Sequence, residues 1–164
     1  MTDQPSSSPC YASQGADAYM GYASRDELLA ALNELLEAER AGARVASASA
    51  KALGDSDFSQ LMERVRSDEA HWRAMLAAHI RRLGAMPSRR TGAFFEKAME
   101  IADPLERLAF LNRGQAWVVR KLDILMPRVR DDSMHADLQE MAARHRSNID
   151  LAQRFGDEKR RQVP

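Results

Sequence analysis

The chain has 164 residues, enough for one domain with a real core and too few for two. Its 24 Lys and Arg balance its 24 Asp and Glu, which excludes a general binder of nucleic acid or of anionic membranes, since either calls for a basic excess. A single cysteine, Cys10, excludes an internal disulfide framework and a cysteine-based zinc site.

Residues 1–23 are rich in Ser, Pro, Gln, Gly and Ala without helical period and read as a disordered leader, with Tyr11, Tyr19 and Tyr22 as its candidate docking groups. The leader has neither a basic start nor an apolar core, so it is not read as a secretion signal or an anchor. No apolar run approaches the ~20 residues of a membrane span, and the protein reads as cytoplasmic. Order is expected from Ser24, where "SRDE" is a capping box, through a helix reaching about Leu53 and stopped by Gly54. A second helix starts in "DSD" at 55–57 and ends at Gly84, with Pro87 beyond. A short apolar helical piece, "AFFEKAMEIA", precedes Asp103 and Pro104, which cap and open the third long helix. That helix runs to about Met126, where Pro127 ends it, and a fourth runs from Asp132 to Gly156. Residues 157–164 read as a polar tail.

No alternating strand pattern is present, so the fold class is all-α. Helices of about 22 to 29 residues are roughly twice the usual length, and such lengths suit an antiparallel four-helix bundle occupying residues 24–156. Its long crossover, carrying the short helix, joins helices two and three.

Steps of four and three mark the axial face of each long helix. The stripes are Leu28, Leu32, Leu35, Glu39, Gly42 and Ala46, then Phe58, Met62, Val65, Glu69, Trp72, Leu76, His79 and Leu83. The third helix gives Leu108, Leu111, Gln115, Val118, Leu122 and Leu125, the fourth Leu138, Met141, His145, Asn148, Ala152 and Phe155. Each is interrupted at mid-length by a polar residue, and Glu39, Glu69, Gln115 and His145 are expected to meet in one layer.

Two buried carboxylates side by side raise each other's pKa and need compensation. One divalent ion, a shared proton, or an inward arginine such as Arg66 or Arg113 would supply it. Oxygen and imidazole donors suit iron, manganese or zinc. The metal candidates are therefore Glu39, Glu69, Gln115 and His145. Asp68 and His71, in "SDEAHW", are second choices that would need the helix to rotate. The competing structural account is a satisfied polar layer that fixes helix register. Gly42 and Gly114 beside the layer either open space for water or a small ligand or let helices approach closely. His79 is two to three turns from Glu69, too far for the same ion, and the methionines at helical spacing read as core.

The central layer and the architecture resemble the ferritin-like superfamily of di-metal carboxylate bundles. That resemblance implies a Glu on each of two helices and Glu-x-x-His on the other two. Glu39, in "LLEAERAG", matches the first-helix Glu, Glu69 the second-helix Glu and His145 the fourth-helix His. Trp72, Gln115 and Ala142 replace the other three ligands, which reduces the implied site to one ion. "TGAFFEKAM" and "RLAFLNRGQAWVVRKL" are also similar to a small uncharacterised bacterial family within that superfamily, over most of residues 25–156.

The expected function is thus a helical bundle that binds one divalent metal. The alternative is a metal-free scaffold acting as a homodimer or through a partner, with an apolar patch around Phe94, Phe95 and Trp117. Hydrolase or transferase chemistry has no supporting motif: no nucleophile elbow, phosphate loop or Cys-His pair is present.

Overall fold

A computed structural model describes residues 18–162. It contains helices α1 (Arg25–Ser49), α2 (Ser56–Arg82), α3 (Phe94–Met99), α4 (Pro104–Leu125) and α5 (Asp132–Gln162), with a 3₁₀ turn at Met126–Arg128 and no strand among the described residues. The helix starts follow from capping. Ser24 Oγ accepts from the Glu27 amide while the Glu27 carboxylate accepts from the Ser24 amide. Asp55, Asp103 and Asp131 each accept from the amide three residues on, at 2.9, 2.8 and 2.7 Å. Gly54 and Gly84, at φ +61° and +76°, follow the ends of α1 and α2, a backbone region open to glycine at little cost. Arg25 Nε donates to the Leu83 carbonyl at 2.8 Å, tying the end of α2 to the start of α1.

Helix α1 packs on α2 and α4, and α5 packs on α4 and α2. The apolar interior forms two clusters. One takes Leu32, Leu35 and Leu36 from α1, Trp72, Leu76 and Ile80 from α2, and residues 118–125 of α4 and 134–142 of α5. The other takes Val45 and Ala46 from α1, Phe58 to Val65 from α2, Leu108 and Leu111 from α4 and Ala152 from α5. The order in which each helix meets the two clusters gives its direction. Helices α1 and α5 run one way, α2 and α4 the other. The long helices α2 and α4 are therefore parallel, and the segment between them must return along the length of the domain.

That return segment carries α3, which packs against α1 and α4. Arg40 on α1 holds it by donating to the carbonyls of Arg90 and Ser88 at 2.6 and 2.8 Å. The Ser88 amide donates to Asn33 Oδ1 at 2.8 Å, and the Ser88 hydroxyl bonds Glu37. Arg107 donates twice to the Ile101 carbonyl, at 3.0 and 2.7 Å, fixing the approach to α4.

The structure corrects the expected polar tail. Gly156 does not end the last helix; it is buried within α5, which continues to Gln162. A glycine stops a helix when it takes the left-handed conformation, and Gly156 is not among the positive-φ residues. The added turns dock: Lys159 Nζ lies 2.6 Å from Asp55 Oδ2 beside the start of α2. Helix α1 ends slightly early, its expected last residues 50–53 forming a turn. At the other terminus Ala23 is buried and its amide donates to the Arg128 carbonyl at 2.8 Å. Tyr22 is half-buried and Tyr19 exposed. Tyr11, Cys10 and the bulk of the expected leader lie outside the described residues. No helix among the described residues is long and apolar enough to cross a membrane.

Candidate functional site

The two apolar clusters leave a gap at one height. In α1 it falls between Leu36 and Val45, in α2 between Val65 and Trp72, in α4 between Leu111 and Val118, and in α5 between Ala142 and Ala152. Glu39, Glu69, Gln115 and His145 fill it, exposed by only 1, 3, 3 and 1%. All four line one cavity of about 540 Å³ that runs outward between α1 and α4 beneath the α3 segment.

Their hydrogen bonding is incomplete. His145 Nδ1 lies 3.0 Å from the Met141 carbonyl and Nε2 lies 3.1 Å from Glu39 Oε1. A carbonyl only accepts, so Nδ1 carries a hydrogen; Nε2 is left to face the Glu39 carboxylate. Glu39 Oε2, Glu69 Oε2 and Gln115 Oε1 are buried without a hydrogen-bond partner. Unpartnered buried oxygens are rare and costly, and three occur here in one cavity wall.

The electrostatics follow from this burial. Desolvation, with the charges of Glu39 and Asp68, pushes the Glu69 carboxyl well above its ordinary value. For His145, desolvation opposes the charged form, but the Glu39 charge, its hydrogen bond and the Met141 carbonyl outweigh it and raise the imidazole pKa. The protein therefore favours a proton on Glu69 and an imidazolium opposite Glu39. Neither expected arginine compensates the acids: Arg66 pairs with Glu63, and the Arg113 guanidinium lies 5.4 Å from the Phe110 ring centroid. His145 takes that role.

The two glycines beside the layer have different partners. A Cβ on Gly42 would stand 2.5 and 2.7 Å from the Glu69 carboxylate oxygens, so Gly42 makes the space Glu69 occupies. A Cβ on Gly114 would stand 2.6 Å from Phe94 Cζ; Gly114 receives the ring that α3 lays over the cavity. Phe94 also stacks on Phe110, with centroids 4.7 Å apart.

The second-choice ligands do not join the layer. His71 is exposed, edge-on to Trp72, and Asp68 is held outside by Asn148 Nδ2 at 2.9 Å. The helix does not rotate, because Glu69 and Trp72 take its buried face. His79 is buried and bound to Asp137 at 2.6 Å, near the C-terminal end of α2. Among the described residues no three His, Cys, Asp or Glu side chains are already gathered at metal-binding distances. Sequence reasoning missed the α3 segment as a cavity wall; "AFFEKAMEIA" reads only as a short apolar helix in the crossover, and its placement depends on Arg40 and Gly114, both remote in sequence.

The chain matches the model of a protein family described as "Domain of unknown function (DUF6306)" over residues 26–154, and it belongs to that family. Neither curated proteins nor solved structures give a match.

Proposed function

We propose that this DUF6306 chain is a four-helix bundle of ferritin-like type that holds one divalent metal ion in its central layer. The three unpartnered oxygens of Glu39, Glu69 and Gln115 around one imidazole carry the proposal. They are buried acceptors without donors, and a cation is the partner that satisfies all of them together. The parallel relation of α2 and α4, joined by a long crossover, supports the ferritin-like topology.

The donor set fits. His145 Nδ1 donates to Met141, which fixes the ring and leaves Nε2 as the coordinating atom. Nε2 and Glu39 Oε1 stand 3.1 Å apart. These two atoms would hold the ion, one from α5 and one from α1. Glu69 and Gln115 would complete the set from α2 and α4. Nitrogen and oxygen donors suit iron, manganese or zinc. Such an ion would supply Lewis acidity or, if iron or manganese, redox chemistry facing the cavity.

The metal-free scaffold has less support. Its expected apolar patch is dispersed: Phe94 lies on Phe110, Arg44 sits 3.9 Å over Phe95, and Lys121 lies near Trp117. All three rings are half-buried.

Elemental analysis of protein purified without chelator tests the proposal. About one equivalent of iron, manganese or zinc is expected, lost in Glu69→Ala and His145→Ala variants that remain folded. Wild-type protein with under about a tenth of an equivalent, and taking up none on addition, ends it.

A further inference from the structure

The cavity reaches well past the four layer residues, and its outer part has its own chemistry. Its walls are apolar and aromatic: Phe94, Phe110 and Trp117 face Ala38 and Ala41. Its mouth is charged, and the charges are unevenly compensated. Glu34 is paired with Lys121 at 3.1 Å and Glu37 with Arg90 at 3.3 Å. Lys97, Arg113 and Arg120, which also line the cavity, have no carboxylate partner among the described residues. Two come from one face of α4: Arg113, Trp117 and Arg120 are four and three residues apart and share a side of the helix.

An apolar chamber with a few placed polar groups is the form of a small-molecule site. The charge order gives the orientation of the occupant. The floor presents the unpartnered acceptor oxygens of Glu39, Glu69 and Gln115, which offer no donor to an anionic group. The mouth holds three cations with no carboxylate partner among the described residues, beside two acids that are already paired, and an anionic group is attracted to those cations. Trp117 and the stacked Phe94–Phe110 pair give an aromatic wall that suits a planar apolar body between the two.

We propose that this cavity binds a small aromatic carboxylate, its ring system seated between α3 and α4 and its carboxylate at Lys97, Arg113 and Arg120. The proposal extends the reading of the same cavity, but it draws on the walls and mouth and does not require the ion. With an ion at the floor, the buried end of the ligand would face it. Arg120 and Lys97 are exposed and can be altered without touching the core.

Isothermal titration of 2-naphthoate, with 2-naphthalenemethanol as the uncharged counterpart, tests this on EDTA-stripped protein and on metal-loaded protein. One saturable naphthoate site is expected in both, with the alcohol at least about tenfold weaker. The Lys97→Gln, Arg120→Gln double variant should weaken naphthoate about tenfold and leave the alcohol unchanged. Ala38→Phe, which fills the chamber, should remove binding of both, its fold verified by circular dichroism; the surface double variant decides alone if Ala38→Phe does not fold. No naphthoate binding, equal binding of acid and alcohol, or an unaffected double variant overturns the proposal. If the protein takes up no metal on addition yet binds naphthoate, the ion fails and the carboxylate site stands; if it takes up metal yet binds no naphthoate, the reverse holds, so the two failures are told apart.

Discussion

Replacing Glu69 by Gln keeps the shape of a buried side chain and removes its titration. In the folded protein the Glu69 carboxyl is raised well above its ordinary 4.5 by burial and by its acidic neighbours. A raised folded pKa contributes stability that is whole below the unfolded value and is lost as pH rises toward the folded value. Each pH unit in that window costs about 1.4 kcal/mol, because the folded protein must keep a proton that the unfolded chain releases. From pH 4.5 to 7 the ceiling is about 3 kcal/mol, and the uncharged amide of the variant incurs none of it. A domain of this size shifts by about 2–4 °C per kcal/mol. In chelator, urea unfolding should therefore give nearly equal stabilities for wild type and Glu69→Gln at pH 4.5, and a variant more stable by up to about 3 kcal/mol at pH 7. His145, whose pKa is also raised from 6.5, adds a decline as pH rises past that value, and it is present in both proteins. A difference that does not change with pH would refute the reasoning, since a buried, ion-free carboxylate must then be ionised without cost. A metal ion reverses the trend in wild type alone, because coordination needs the deprotonated acid.

Two other perturbations probe the walls of the site. Gly114→Ala should drive the Phe94 ring from its seat and cost about 1–3 kcal/mol in thermal or urea unfolding, with faster amide exchange in residues 91–97 as the local sign. Asp137→Ala should cost about 1 kcal/mol by removing the 2.6 Å bond to buried His79, while Asp137→Asn retains most of the stability; equal loss in both would mean that charge, not the hydrogen bond, matters there.

The parts of the fold legible in sequence are those fixed by neighbours along the chain. Ser24 with Glu27, and Asp103 with Pro104 and Glu106, announce helix starts because a cap is completed within three residues. The axial stripes are legible for the same reason, and the buried residues of α4, Leu108 through Leu125, are those the period selects. Glycine is less readable. Gly54, Gly84 and Gly156 look alike as letters, yet two stop helices and one lies inside a helix, and the difference rests on whether later turns find a partner such as Asp55. Gly42 and Gly114 drew attention by their cost, but what fills the space beside each comes from α2 and α3, which no spacing within α1 or α4 encodes. The position of the four polar residues at one height could be counted from helix lengths. The cavity over them could not, because its outer wall is held by Arg40 on carbonyls 48 and 50 residues away.

The distribution of the polar layer between the two halves of the chain bears on how the protein assembles. Both acids, Glu39 and Glu69, are on the α1–α2 pair; the imidazole and the amide, His145 and Gln115, are on the α4–α5 pair. Each pair can form early from contacts near in sequence, with its polar residues still wet. Only when the pairs come together does water leave all four side chains at once, and only then do the acids meet the imidazole. The α1–α2 fragment alone would be left with two facing carboxylates and no counter-charge, so its folding should favour acid, and addition of the α4–α5 fragment should restore order near neutral pH. The docking step is thus also the recognition step between the halves, with charge deciding which partner fits.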